Sequence, residues 1–411
     1  MTTEKYYQHD VDCRELDGRI EAIQNDGKST RIIMDRTVFF PTGGGQPCDT
    51  GTLVTPDGTS VSVIDVQEDK DTGIISHTIE GDSSAIDALQ VGMTVTQKLN
   101  EDRRRINTQR HTGEHILTGA FIQLFGGANK GFHMGGEYVT IDMDYDGKKL
   151  TEEQVRAAEK MANEVIWANL PVTVSTFPNR EEASVMPTRK PVTQDGEITI
   201  VTIGDLESPH DCVACCGTHF HRTGEVGLIR VHKFEPNKGM NRIYFECGDR
   251  ALESMQADDA LLRTVQERFS AGSHDLLQKM DIRDEKEAEL RQDCTGLRQY
   301  YRDREMARIT ALLHRDTPDF YQDSFTLVSP DDLLKLGFAI MEDASAPALM
   351  ALVHQPSHTV LLFSDGSRNC GVLVKEHAKS LGGRGGGRPD QARALMPNED
   401  AVEKFIESLK K

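Results

Sequence analysis

The stretch NEDRRRINTQRHTGEHILTGAFIQLF, residues 100–125, separates two parts of the chain that have different patterns. Upstream of it, short runs of β-branched and apolar residues, among them 37–40 and a last run at 91–95, alternate with Asp-Gly turns, which is typical of strands in a small barrel or sandwich. The stretch itself carries apolar residues at helical spacing, with His111 and His115 four positions apart. We therefore predict a long helix from about Asn100 to Phe125, at the junction between a β-barrel and an α+β domain.

Working outward from this helix, we predict an α+β multidomain protein of four parts within the 411 residues. The parts are a small N-terminal β-barrel at 1–95, an α+β metal-binding domain at 96–250, a helical spacer at 251–315 and a C-terminal α/β domain at 316–411. Within them we predict a second helix from Thr151 to Trp167, where Thr151 and Gln154 match a capping box, and a strand at 325–328. In the spacer, charged residues interrupt the heptad positions, which favours a helical hairpin turning at 270–273 over a long coiled coil.

Composition excludes several classes of protein. Eight cysteines are too few for a disulfide scaffold, and the absence of a secretory signal and of a long apolar run predicts a cytoplasmic protein without a membrane partner. The formal net charge of −19 argues against a general nucleic-acid coat protein. Two local basic clusters, at 98–110 and 371–393, still offer candidate RNA contacts, and the glycine-rich backbone favours the second.

Two separated pairs of residues predict a metal site. An i, i+4 spacing places the imidazoles of His111 and His115 on one helical face, which suits a small cation. Far downstream, the segment CVACCGTH at 212–219 holds Cys215 and His219, again four apart. Three nitrogens and one sulfur form a tetrahedral set that suits Zn²⁺, so we predict one zinc ion per chain.

The residues around these pairs leave alternatives open. Cys212 and Cys216 are rival ligands, because Cys212-x-x-Cys215 is itself a common zinc spacing. The run HTGEH also matches the H-x-x-E-H signature of some metallopeptidases, in which Glu114 would be the general base. Glu114 is thus either a catalytic candidate or a solvated helix glutamate.

A glycine run marks a second candidate site. The segment FFPTGGGQP at 39–47 places three glycines directly after a β-type run. Glycines there let the backbone approach a ligand closely, and the amide of Gln46 both donates and accepts hydrogen bonds. A tight barrel turn would explain the same glycines.

Taken together, four ordered segments resemble a known family. They are FFPTGGGQPCDTG at 39–51, the HxxxH pair, CCGTHFHRTGEVGLIRV at 215–231 and KGMNRIYFECGDRAL at 238–252. These segments resemble the editing domain of alanyl-tRNA synthetase and, more closely, the free-standing AlaX-type alanyl-tRNA editing proteins, over residues 1 to about 255. The tail LGGRGGGRPDQARA resembles the C-terminal DHHA1 domain that the long AlaX subtype also carries. The editing domain of threonyl-tRNA synthetase shares the HxxxH and CxxxH pairs, but not the GGGQ loop or this tail.

The resemblance implies a trans-editing hydrolase that deacylates tRNA(Ala) mischarged with serine or, in some members, glycine. It implies zinc ligands at His111, His115, Cys215 and His219, and substrate contacts at Gly44, Gly45, Gln46 and His133. From the positive charge and glycine-rich backbone of the tail, we predict tRNA contacts at Arg384 and Arg388. A homodimer through the C-terminal region is also consistent with it. Glu114 and Cys216 depart from the usual family motif, so their roles stay open. The alternatives are an HxxEH zinc peptidase and a zinc protein that binds tRNA without turnover.

Overall fold

A computed structural model of the protein describes residues 2–316 and 318–410. Its contacts divide the chain into two compact units, Met1–Thr264 and Val265–Lys411. This single division falls inside a helix, so the four-part organisation stays a prediction. Among the described residues, no helix is both long enough and apolar enough to cross a membrane.

The first unit begins with a closed β-barrel, as predicted. Its elements are β1 (Glu4–Lys5), α1 (Tyr6–His9), β2 (Glu15–Asn25), β3 (Thr30–Met34), β4 (Arg36–Thr37), β5 (Gly51–Val54), β6 (Ser60–Asp69), β7 (Ile74–Glu80), α2 (Ser83–Asp87) and β8 (Thr94–Leu99). The barrel closes in the order β2-β3-β7-β6-β5-β8, while β1 and β4 form a separate parallel pair. In β6, buried Val61 and Val63 alternate with exposed Ser60 and Ser62, which is the pattern of a strand with one face in a core.

Two predicted strands of the barrel were wrong in position. The run 37–40 is strand only up to Thr37, because the next residues bend away to bury Phe39 and Phe40 and the Phe40 amide donates to Asp49 Oδ2 at 2.8 Å. The predicted last strand at 91–95 lies later, at β8, because Gly92 adopts a φ of 86° in the preceding turn.

The predicted long helix is confirmed as α3 (Glu101–Phe125), and the Asn100 side chain caps it by accepting from the Arg103 amide. Most of α3 is buried despite its polar sequence, so its charged residues need partners inside the unit. Arg104 Nε donates to Asp49 Oδ2 at 2.9 Å, and Arg110 Nε donates to Glu246 Oε2 at 2.9 Å. The other cations of the cluster at 98–110 are also engaged: Lys98 with Glu15, Arg103 with the Cys48 carbonyl and Arg105 with Asp249. The cations of this cluster therefore have partners within the first unit, and the cluster is not a free basic patch.

The rest of the first unit is α+β. Its elements are β9 (Ala128–Met134), β10 (Val139–Asp144), α4 (Glu152–Trp167), β11 (Val172–Phe177), α5 (Arg180–Ala183), β12 (Ile198–Ile203), β13 (Asp211–Ala214), a 3-10 turn (Thr223–Val226), β14 (Ile229–Asn237), β15 (Met240–Cys247) and α6 (Gly248–Phe269). The strands form two sheets, in the orders β14-β15-β10-β9 and β11-β12-β13. Thr151 and Gln154 form the predicted capping box of α4. Helices α3 and α4 share one apolar core with both sheets, which includes Ile116, Ala158 and Ile243.

The second unit continues the helical region and then forms an α/β domain. Its elements are α7 (Leu276–Leu313), β16 (Phe320–Phe325), α8 (Pro330–Met341), β17 (Leu349–His354), a 3-10 turn (Gln355–Ser357), β18 (Thr359–Ser364), α9 (Cys370–Leu373), a π-helical turn (Val374–Ala378), a 3-10 turn (Lys379–Leu381), β19 (Arg384–Gly387), β20 (Gln391–Leu395) and α10 (Glu399–Leu409). The region predicted as a spacer is helical, and its helices are interrupted at 270–275, where the turn was predicted. The sheet order is β16-β17-β18-β20-β19, with the glycine-rich segment as the exposed edge strand β19. The strand predicted at 325–328 lies earlier, at β16.

Candidate metal centre

Four side chains from distant parts of the first unit converge on one point. His111 and His115 project from the buried middle of α3, Cys215 directly follows β13, and His219 lies in the next loop. One ligand atom from each lies within 4.8 Å of the others. Cys215 Sγ is 3.2 Å from His111 Nε2 and 3.4 Å from His219 Nε2. The structure thus brings together all four residues that the sequence predicts as zinc ligands.

In each of the three histidines, the ring nitrogen Nδ1 contacts an oxygen atom of another side chain. The Nδ1 contacts are His111 to Gln46 Oε1 at 2.7 Å, His115 to Asp211 Oδ2 at 2.9 Å and His219 to Thr112 Oγ1 at 3.4 Å. Such a contact fixes ring orientation, and a proton donated from Nδ1 leaves the lone pair of Nε2 free to bind a metal. Three oriented imidazoles and one thiol match the donors of a zinc site, so the residues present fit a zinc ion.

Gln46 joins the glycine loop to the ligand loop. Its Oε1 accepts from the Thr218 amide at 3.2 Å, and its Nε2 donates to Thr218 Oγ1 at 3.0 Å. Gln46 is only 1% exposed, so it lies behind His111 rather than on an open surface. The ligand loop approaches α3 so closely that a Cβ at Gly217 would overlap the His111 ring. The glycine loop, through Gln46, and the ligand loop, through Gly217, therefore both pack against His111.

The buried thiol and imidazoles of this cluster shift one another's pKa values. Although burial opposes it, the neighbouring imidazoles lower the pKa of the Cys215 thiol well below its ordinary value. Burial lowers the pKa of His219 to about 4. Burial also disfavours protonation of His115, but the Cys215 thiolate and the hydrogen bond to Asp211 raise its pKa to about 10. A cation at this point would take over the charge that the His115 proton supplies.

Neither of the two rival cysteines contributes its sulfur to this group among the described residues. Cys212 is buried in a small separate core, with its Sγ 3.4 Å from Thr202 Oγ1. Cys216 is exposed. In the part of the chain that the structure describes, the close group of ligands includes neither of them.

The ligands open onto a cavity of about 540 Å³, which His111, His115 and Cys215 help to line. Glu114 also lines it and is 3% exposed, so it is not a solvated helix glutamate. Its Oε1 accepts hydrogen bonds from Thr118 Oγ1 and Asn129 Nδ2, both at 2.7 Å. Its Oε2 lies 3.6 Å from His115 Nε2. One carboxylate oxygen is thus fixed, while the other faces the cluster.

The remaining predicted residues are distributed between the two units. Gly44 lines the cavity, and Gly45 packs so closely on Phe132 that a Cβ there would lie 2.6 Å from the ring. His133 is exposed on β9 and does not line the cavity. Arg384 and Arg388 are exposed in the second unit. Within the described residues, neither arginine has a carboxylate at ion-pairing distance, so both remain available to an anion.

Several residues of the site had no signal in the sequence. Asp211 orients His115 and also pairs with Arg189, whose Nη1 lies 3.2 Å from Asp211 Oδ1. Asn129 holds Glu114 from a neighbouring strand. These residues come from three segments without a common motif, and only the fold brings them together.

Three family models match parts of this chain. They are tRNA synthetases class II (A) at residues 2–103, the threonyl and alanyl tRNA synthetase second additional domain at residues 198–244, and the DHHA1 domain at residues 337–411. The first match covers the barrel, the second contains Cys215 and His219, and the third covers most of the α/β part of the second unit.

Curated relatives match the chain from end to end. The alanyl-tRNA editing protein AlaX-L of Pyrococcus horikoshii is 28% identical over 96% of this chain and 94% of its own length. The alanine–tRNA ligase of Thermococcus kodakarensis is 28% identical over 100% of this chain, and that of Pyrobaculum calidifontis is 30% identical over 94%. The chain spans only 43% and 41% of the length of these two ligases.

Proposed function

Because this chain is a relative of the AlaX-type alanyl-tRNA editing proteins of the long subtype, we propose that it hydrolyses mischarged tRNA(Ala). The proposed substrate is Ser-tRNA(Ala), with Gly-tRNA(Ala) as the second candidate. The observation that carries the proposal is the convergence of three imidazoles and one thiol at the wall of a cavity. The proposal places the protein in the cytoplasm, where aminoacyl-tRNA is used.

The cofactor in this proposal is one zinc ion held by His111, His115, Cys215 and His219. When bound, the ion would supply positive charge beside an ester carbonyl or the amino group of the aminoacyl moiety. The protein's part is to orient the ligands, through Gln46 behind His111 and Asp211 behind His115.

Glu114 is the candidate general base. Hydrolysis needs a water oxygen to attack the ester carbonyl carbon while a nearby group accepts its proton. Glu114 lines the cavity, with Oε1 held by Thr118 and Asn129 and Oε2 lying 3.6 Å from His115 Nε2. The C–O bond to the ribose then breaks, and the ribose oxygen leaves as a hydroxyl after taking up the proton.

The proposed tRNA contacts and the homodimer concern the second unit. Exposed Arg384 begins the glycine-rich edge strand and exposed Arg388 directly follows it; phosphates can approach such a strand closely. We place a tRNA contact at this strand and a homodimer contact in the same C-terminal region. Deletion of residues 318–411 should therefore weaken tRNA binding more than hydrolysis of a minimal aminoacyl ester.

The direct test is a deacylation panel of seryl-, glycyl- and alanyl-tRNA(Ala), with and without a chelator. We expect chelator-sensitive hydrolysis of the seryl substrate, little of the alanyl substrate, and loss of both zinc and activity in His111→Ala. Casein in a parallel assay tests the peptidase alternative. Tight tRNA binding without turnover would instead support a non-catalytic zinc protein.

A further inference from the structure

The cavity beside the metal centre is lined by more positive than negative groups. Its charged residues, apart from histidines and cysteines, are Lys5, Lys130, Arg189 and Lys190 against Glu114 and Glu197. The chain as a whole carries a formal charge of −19, so an excess of cations at one cavity runs against the overall balance. Such local positive charge attracts anions and raises their concentration at the site.

Two of these cations already form ion pairs within the first unit. Lys5 Nζ lies 2.6 Å from Glu68 Oε1, and Arg189 pairs with Asp211 behind the metal centre. Lys130 and Lys190 differ from them. Among the described residues, no carboxylate lies within ion-pairing distance of either lysine, and both side chains are exposed.

Lys130 and Lys190 come from separate segments but line the same cavity. Lys130 belongs to β9, and Lys190 lies in the loop between α5 and β12. Partial burial of its ammonium group lowers the pKa of Lys190 most; the charges of Arg189 and Lys130 lower it further, and the charge of Glu114 opposes them. Placing like charges together costs free energy, and an anion that binds between them recovers it.

We propose that Lys130 and Lys190 bind phosphodiester groups of the single-stranded 3′ end of tRNA as it enters the cavity. This inference rests on the proposed function, since the aminoacyl ester is attached to that end. Ammonium groups bind phosphate as point charges and read no base sequence, which suits an end that all tRNAs share. The basic cluster at 98–110 contributes no residue to the lining of this cavity, and its cations already have partners within the first unit.

The test compares Lys130→Ala/Lys190→Ala with Lys148→Ala/Lys149→Ala in the full-length zinc-loaded protein. The control pair lies in the turn between β10 and α4, is exposed, and removes the same charge away from the cavity. The probe is a 5′-labelled tetranucleotide ending in CCA, whose affinity is measured by fluorescence anisotropy at several salt concentrations. Inorganic phosphate is added as a competitor, and hydrolysis of seryl-adenosine, an ester without phosphate, is measured in parallel.

We expect the cavity variant to bind the tetranucleotide about tenfold more weakly than wild type, with a salt dependence of log affinity shallower by about 1.4, as two lost phosphate contacts predict. The control variant should bind like wild type, inorganic phosphate should not displace the probe, and seryl-adenosine hydrolysis should be unchanged in both variants. Equal tetranucleotide affinity in wild type and the cavity variant would overturn the inference. Displacement by inorganic phosphate, or an equal loss of seryl-adenosine hydrolysis, would overturn it as well. If wild type does not hydrolyse seryl-tRNA(Ala), the proposed function fails, while the binding comparison still decides the role of the lysines.

Discussion

The substitution Asp211→Asn tests whether the cluster is built to hold a metal ion. Asp211 Oδ2 lies 2.9 Å from His115 Nδ1, and both side chains are almost fully buried. Asparagine keeps the size of the side chain and an oxygen acceptor but removes the negative charge. The substitution therefore separates the electrostatic support of His115 from the packing around it.

The expected loss of zinc affinity follows from what residues like Asp211 do for a metal-ligating histidine. Residues that hydrogen-bond a metal-ligating histidine typically contribute about 10–100-fold to metal affinity. Because the amide oxygen of the introduced asparagine would still accept from Nδ1, we expect the low end, about tenfold or about 1.4 kcal/mol. Asp211→Ala should approach 100-fold, since it removes the acceptor and also the nearer of the two carboxylates that pair with Arg189.

The assay is zinc competition against a chromophoric chelator at fixed pH, with the dissociation constant fitted for each variant. Asp205→Asn is the matched control, because Asp205 is an exposed acid in the turn before β13. It should bind zinc like the wild-type protein. Unchanged zinc affinity in Asp211→Ala, in a variant with a wild-type circular dichroism spectrum, would refute the reasoning.

Three further perturbations test other parts of the account. Glu114→Gln should lower the rate of seryl-tRNA(Ala) hydrolysis by at least about 100-fold, as loss of a general base does, while the zinc content stays at one ion per chain. An unchanged rate would exclude Glu114 as the base. Gln46→Ala should lower zinc affinity by about tenfold, because His111 loses its Nδ1 partner, and equal affinity in the competition assay would count against this role. Burial lowers the pKa of His77 to about 4, so the folded protein holds this imidazole neutral at a pH where the unfolded chain would protonate it. The free energy of unfolding should therefore be highest above the ordinary pKa near 6.5 and should fall as the pH drops from there to about 4. Hydrogen exchange of the barrel strands should show a loss of about 3 kcal/mol over this range that His77→Gln lacks, and parallel pH profiles would contradict it.

The fold was predictable where local pattern decides structure. The apolar spacing of 100–125 and the capping box at Thr151 depend on neighbours in the sequence, and both helices were placed to within a residue. The run at Phe39 and Phe40 was not, because a long-range bond from the Phe40 amide to Asp49 sets its path. Asp49 in turn is held by Arg104 of α3, which the sequence alone could not place beside it.

The site was predictable only in its central residues. The i, i+4 spacings of His111 with His115 and of Cys215 with His219 are visible in the sequence. The supporting residues, such as Asp211 and Asn129, lack any fixed spacing to the ligands, because strand pairing rather than local sequence brings them close. The contact of Gln46 with His111, at 2.7 Å between Oε1 and Nδ1, likewise has no signal in the sequence, which predicted only a substrate contact for Gln46.

X-ray absorption at the zinc K edge of the loaded protein tests the central claim most directly. We expect a first shell of three nitrogen-type ligands and one sulfur. Cys215→Ser should remove the sulfur, while Cys212→Ser and Cys216→Ser should leave the spectrum unchanged. A shell without sulfur in the wild-type protein, or a sulfur that persists in Cys215→Ser, would contradict a metal site built from these four residues.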